Sequence, residues 1–207
     1  KVRSLQHLLV TSYEAKTLAV KKVTSNKGKR TAEIDHILWD TDAKKVNAVC
    51  SLKRRGYRAL SLKRINIAKK NGKMRPLGIP TMRDRAMQAL YLMALKPVTE
   101  ATADANSHGF RKFRSTADAI DALHRWLSRD YSPQWILEGD IKGCSDHISH
   151  EWLLDNVRID KHILGKWLKS RVVFNTLLQP IVKGTPQGGI ISPTLANAAL
   201  DGMERRH

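Results

Sequence analysis

The sequence is short of several things, and each shortage narrows what it can do. Only two cysteines, Cys50 and Cys144, stand in 207 residues. They form neither a disulfide framework nor a metal-binding spacing, and they fit reduced thiols in a cytosolic setting, bacterial or organellar. No apolar stretch is long enough to span a bilayer, and neither a lipidation motif nor a signal-peptide pattern is found, so no membrane partner is expected. There is no internal repeat and no low-complexity tract, which argues against a repeat array. Acidic residues are scarce as well: 19 Asp and Glu face 37 Lys and Arg, for a formal charge of +18 and a pI near 10.2. The imbalance is steepest in residues 1–75, with 20 basic and 5 acidic side chains. Such an excess calls for a polyanion, and without a membrane signal nucleic acid is favoured. The length allows one large domain or two small ones, with a sizeable core.

Taken in order, Leu5, Leu8, Leu9, Ala15, Ala19, Val20 and Val23 recur at helical spacing, which predicts one amphipathic helix over about 4–23. A basic loop, Ser25 to Arg30, follows. Thr41 or Asp42 can cap a helix through Leu52, with Gly56 as its stop. Lys53, Arg54 and Arg55 end it, either compensating the helix dipole or meeting phosphate. Lys63 to Ile67 alternates, Met74 to Ile79 can pair with it, and Asn71-Gly72 between them signals a hairpin. That ribbon carries Lys63, Arg64, Lys69, Lys70, Lys73 and Arg75. Its charges suit triphosphate or RNA, or simply guard an exposed strand edge. Thr81 can cap a helix to about Leu95, which Lys96-Pro97 is expected to end. Phe110-Arg111-Lys112-Phe113-Arg114 interleaves rings and cations, which suits base stacking and equally core anchoring by the rings. Ser115 caps a further helix bearing Ile120, Leu123 and Leu127.

The informative stretch is Trp135 to His150. Trp135-Ile136-Leu137 is a short apolar run, read as a buried strand, and Asp140 stands just beyond it. A carboxylate there is either a hard ligand for Mg²⁺ or a solvated turn residue. His150 opens another apolar pattern, a helix pattern runs from about Asp160 to Ser170, and Val172 to Val182 reads as extended. Lys183 to Pro193 then carries three glycines and two prolines, with Ser192-Pro193 as a helix cap and first residue leading to about Glu204.

Together these stretches resemble a known family. Asp140-Ile141-Lys142-Gly143-Cys144-Ser145-Asp146 is similar to the first palm motif of group II intron-encoded reverse transcriptases, usually D-I-K-x-x-F-D. The run from Gly184 to Pro193, G-T-P-Q-G-G-I-I-S-P, resembles their next palm motif. Gly72 to Arg85 resembles their fingers motif, and Ser107 to Ser115 the segment S-Y-G-F-R-P-x-R-S. The matches come in the family's order and cover nearly the whole chain.

The resemblance implies an α+β, right-hand polymerase fold: fingers and a partial palm, helix-rich, with a fingers β-hairpin and a small antiparallel palm sheet. Residues 1–40 would be the N-terminal extension and fingertips, 41–133 the fingers, and 134–207 a palm that stops before the family's Y-A-D-D turn. It implies an RNA-directed DNA polymerase and maturase that binds intron RNA, assists splicing and supports retrohoming. Its partners would be group II intron RNA, a DNA target or primer and dNTP, with two Mg²⁺ ions in the complete site. Asp140 would be the catalytic carboxylate and metal ligand, joined by the Ile141 backbone carbonyl. Lys73, Arg75, Ser145, Gln187 and Gly188 would meet the nucleotide. Lys27, Lys29, Arg30, Lys63, Arg64, Lys69, Lys70, Arg111 and Arg114 would meet RNA. One carboxylate cannot hold two metals, so the 207 residues alone are expected not to polymerise. An RNA-binding splicing cofactor, or a retron or diversity-generating reverse transcriptase, is the alternative. The chain departs from the family's pattern at Glu33 and His36, usually glycines, at Lys112, usually proline, and at Ser145, usually the phenylalanine beneath the sugar.

Overall fold

The computed structural model describes residues 1–26, 28, 32–68, 72, 74–174, 177–179, 183–185 and 188–203. Its centre is helix α4 (Met82–Thr102), whose Met82, Ala86, Met87, Ala89, Leu90, Tyr91, Leu92, Ala94 and Leu95 are buried. These positions fall all round the helix, the pattern of an element enclosed by others. The enclosure is built by α1 (Val2–Thr11), α2 (Tyr13–Ser25) and α9 (Ser192–Leu200), each packed on α4, with α3 (Asp42–Ser51) against α2. Leu153 of α7 (His150–Asn156) and Ile163, Leu164, Trp167 and Leu168 of α8 (Lys161–Leu168) join the same apolar cluster.

The single helix expected over 4–23 is two. Ser12 leaves helical geometry and its Oγ accepts from Ala15 N, 3.2 Å away, starting a new helix. Serine offers the backbone this alternative partner, which the apolar spacing does not reveal. The caps at Thr41, Thr81 and Ser115 are as expected. Pro97, in contrast, does not stop α4. The helix runs on to Thr102, and the Thr99 hydroxyl donates to Leu95 O and Lys96 O at 3.4 and 3.1 Å in the turn that holds the ring. Ser192 and Pro193 are the first two residues of α9, one position later than expected, because Ile191 is already helical and its carbonyl accepts from Thr194 N and Leu195 N.

The hairpin is β1 (Leu62–Ala68) and β2 (Met74–Ile79), antiparallel, with Ala68 opposite Met74. Of the residues between the strands, Gly72 stands at φ +76°, and the expected Lys69, Lys70, Asn71 and Lys73 lie outside the described residues. The extended run after 171 is a second hairpin, β3 (Val172–Phe174) and β4 (Leu177–Gln179). β3 lies parallel to β1, Leu62 opposite Val172, giving one sheet of order β2-β1-β3-β4. The helix-rich α+β fold stands, but the sheet is mixed, since the helices between β1 and β3 form a long crossover that returns the chain in the same direction.

A correction concerns Trp135 to Leu137. They form no strand, and Trp135 and Leu137 are 93% and 97% exposed. A strand needs a hydrogen-bonding neighbour and a covered face, and no described strand lies beside this run. Helix α5 (Thr116–Leu127), just before it, has its expected apolar stripe and no buried residue.

A buried polar knot ties α4 to α8. The Tyr57 hydroxyl donates to Asp84 Oδ1 at 2.6 Å and accepts from Trp167 Nε1 at 2.8 Å. Leu60 N and the Thr81 hydroxyl donate to Asp84 Oδ2. Burial raises the Asp84 carboxyl above the usual range, against the pull of those donors, and pushes the Tyr57 phenol far up. Tyr91 meets Trp167 edge to face at 5.8 Å, and burial pushes its phenol up to about 12.

Candidate nucleotide and nucleic-acid site

Asp140 and Ile141 are exposed in the irregular stretch that follows Leu137. The chain then turns at Gly143, φ +62°, where a Cβ would lie 2.9 Å from the His147 ring. This close approach requires glycine and starts α6 (Cys144–His147), with Asp146 N donating to Gly143 O at 2.8 Å. Ile141 O accepts from Cys144 N at 3.2 Å and, with two lone pairs, keeps capacity for a further partner.

The glycine-rich loop is fastened to this segment through backbone atoms. Gly184 N donates to Ile148 O at 2.9 Å and Thr185 N to Ser145 O at 2.7 Å. His150 Nε2 donates to Gly184 O at 2.6 Å. A Cβ on Gly184, φ +84°, would stand 2.5 Å from Ser145 O, so no side chain fits there. Farther along, a Cβ on Gly188, φ +116°, would lie 2.9 Å from Gly78 O of β2. Ile190 N donates to the buried Gln88 Oε1 at 2.8 Å. Three stretches far apart in sequence, the hairpin base, the Asp140 segment and the 184–190 loop, therefore meet.

The expected site residues divide unevenly. Half-buried Ser145 and Gly188 lie on this junction, Asp140 and Ile141 are exposed in the segment that leads to it, and Arg75 is exposed on β2 opposite Ile67. Lys73, Gln187, Lys27, Lys29, Arg30, Lys69 and Lys70 lie outside the described residues. Lys63 is half-buried on β1. Arg64 stacks over Phe174 at 5.6 Å and donates to Gln179 Oε1, bracing the second hairpin. The Arg111 side chain is 8% exposed, paired with Glu100 and donating to Ser107 O and Asp104 O, so it staples its own loop. Arg114 donates to Ala105 O at 3.0 Å. The neighbouring rings of Phe110 and Phe113 are exposed, both at positive φ, so neither anchors the core.

The departures at 33 and 36 have structural consequences. His36 takes φ +55°, the left-handed geometry that glycine would adopt at less cost, and donates its N–H to Glu33 O. Glu33 is buried beside Arg85, 3.8 Å away, and burial holds its carboxyl above the usual range.

Oxygen donors at Asp140 and Ile141 suit a hard divalent ion. Among the described residues no group of three or more His, Cys, Asp or Glu gathers. Composition and motif spacing missed Asp84, Gln88 and His150. The first two leave a trace: Thr81, Asp84, Arg85 and Gln88 recur at helical spacing inside an apolar helix, which marks polar groups with buried partners.

With this geometry, the comparisons with known proteins are decisive. The family model "Reverse transcriptase (RNA-dependent DNA polymerase)" matches residues 67–207, and "N-terminal domain of reverse transcriptase" matches residues 1–52. The chain belongs to the reverse transcriptase family. Within it, the resemblance to group II intron-encoded proteins stands. The group II intron-encoded protein LtrA of Lactococcus lactis subsp. cremoris is 37% identical over 200 residues, covering 91% of this chain and 32% of LtrA. Protein YkfC of Escherichia coli (strain K12) is 36% identical over 157 residues, covering 72% and 41%. The 91 kDa protein in the cob intron of Schizosaccharomyces pombe is 32% identical over 160 residues, covering 74% and 20%. This reverse transcriptase chain thus spans about a third of LtrA's length. Among solved structures, a chain of the partial Cas6-RT-Cas1–Cas2 complex superposes with a TM-score of 0.57 over 95% of this chain and 34% of its own length, at 21% identity, a likeness of fold. Reverse transcriptase domains generally use divalent metal ions. No helix among the described residues is long and apolar enough to cross a membrane.

Proposed function

We propose that this chain forms the fingers and part of the palm of a group II intron-encoded RNA-directed DNA polymerase and maturase. The protein binds intron RNA, assists its splicing, and copies RNA from a DNA primer during retrohoming, in the cytoplasm or its organellar equivalent. Residues 1–40 serve as extension and fingertips, 41–133 as fingers and 134–207 as palm. What carries the reading is the meeting of the Asp140 segment, the 184–190 loop and the hairpin base. Asp140 and the Ile141 carbonyl would hold one of two Mg²⁺ ions, and such ions would supply charge stabilisation to the attacking and leaving oxygens. Lys73, Arg75, Gln187 and Gly188 meet the nucleotide, and the basic residues of 1–75 hold RNA. A second reading applies to the 207 residues in isolation, RNA binding without polymerisation, and it is supported by the strong basic excess of residues 1–75.

Two measurements test it. Filter binding of the isolated chain to structured RNA should weaken about 10³-fold between about 50 and 200 mM salt if some six phosphate contacts form, and a flat response overturns RNA binding. Primer extension by the longer protein should be abolished by Asp140→Asn with RNA binding kept; extension that persists removes Asp140 from the site. Ser145 leaves the floor beneath the sugar open, so Ser145→Phe in that protein should raise the preference for dNTP over rNTP.

A further inference from the structure

The 184–190 loop is gripped from two sides by residues that lie outside the motifs of the resemblance. On the palm side, His150 Nε2 donates to Gly184 O at 2.6 Å. On the fingers side, Gln88 Oε1 accepts from Ile190 N at 2.8 Å. Gln88 is 3% exposed within an apolar helix, a place where an amide persists only if its polar atoms are matched. We propose that His150 and Gln88 are positioning residues, a two-sided clamp that holds Gly184 at one end of the loop and Gly188 to Ile190 at the other against the Asp140 segment. The inference rests on the nucleotide-site reading above.

The described residues next to each grip are closely held. Gly184 and Thr185 donate to Ile148 O and Ser145 O, and an added Cβ on Gly184 would overlap Ser145 O at 2.5 Å. Gly188 abuts Gly78 O just before the Gln88 grip. From Ile141 through Gly143 and Ser145 to Thr185, backbone hydrogen bonds form a continuous path. A displacement at His150 or Gln88 therefore moves the nucleotide contact relative to the Asp140 segment. A loop held at both ends also meets its ligand with the ordering cost already met.

The test has two arms. In the 207-residue chain, amide hydrogen exchange across 183–190 should quicken about tenfold or more in His150→Ala and Gln88→Met, with α2 and α8 unchanged. His150→Gln, whose amide can donate to Gly184 O, should restore protection. Unchanged exchange over 183–190, failure of His150→Gln to restore it, or quickening spread equally over α2 and α8 overturns the clamp. In the longer protein, His150→Ala should raise the nucleotide KM about tenfold with kcat within about threefold, recovered in His150→Gln. A fall in kcat with KM unchanged overturns the nucleotide role. If the unaltered longer protein extends no primer, the polymerase reading fails while exchange still decides the clamp.

Discussion

α4 and α5 begin alike. Each opens on a hydroxyl followed three residues later by an aspartate, Thr81 with Asp84 and Ser115 with Asp118, and in each the hydroxyl oxygen accepts from the aspartate's N–H. One helix is then buried on nearly every side and the other on none. The aspartates show the difference chemically. Burial raises the Asp84 carboxyl, whereas bonds from the Ser115 hydroxyl and N–H hold the exposed Asp118 below its usual range. Local sequence decides where a helix starts, and what surrounds it decides the worth of its apolar face.

The largest expected effect tests that contrast directly. Leu95→Ala in α4 should cost about 2–5 kcal/mol in urea unfolding, through lost burial and the cavity left behind. Leu123→Ala in α5 should stay within about 0.5 kcal/mol, as at an ordinary surface site. Equal costs would break the comparison. A smaller effect is expected at the polar knot. Tyr57→Phe removes the hydroxyl between Asp84 and Trp167, leaving a buried carboxylate short of a donor, and should cost about 1–3 kcal/mol in the same assay.

The smallest effect is in the pH dependence. Asp84 is raised in the fold, so its contribution is fully present below its unfolded pKa and is lost as pH rises through the folded one. Asp118 is lowered, so its contribution is present above its unfolded pKa and is lost as pH falls through the folded one. Thermal melts across the acid range should therefore change slope in opposite senses for Asp84→Asn and Asp118→Asn. Slopes of the same sign would show that the two caps share one environment.

The sequence was legible where structure is local. Hydroxyl caps placed α3, α4 and α5, and Asn71-Gly72 marked the hairpin joining β1 and β2. It was legible at the site where a family motif spells out glycines: Gly184 and Gly188 both occupy spaces that no Cβ fits. It failed where the outcome depends on distant neighbours. Trp135-Ile136-Leu137 is apolar enough for a strand, but a strand also needs a ladder partner. Gln88 and His150 are single polar letters whose partners lie 102 and 34 residues away.

The Tyr57–Trp167 bond spans 110 residues, and this sets a timetable for synthesis. Ribosomes add roughly 5–20 residues per second, so Tyr57 and Asp84 emerge several seconds before the indole that closes over them. During that interval the nascent α4 has α1 and α2 to pack on but lacks α8 and α9. Its remaining apolar flank is then open to holdase chaperones. The parallel pairing of Leu62 with Val172 is equally late, since closing so long a loop is entropically slow. The first half of the chain thus waits, partly assembled and strongly basic, for the second.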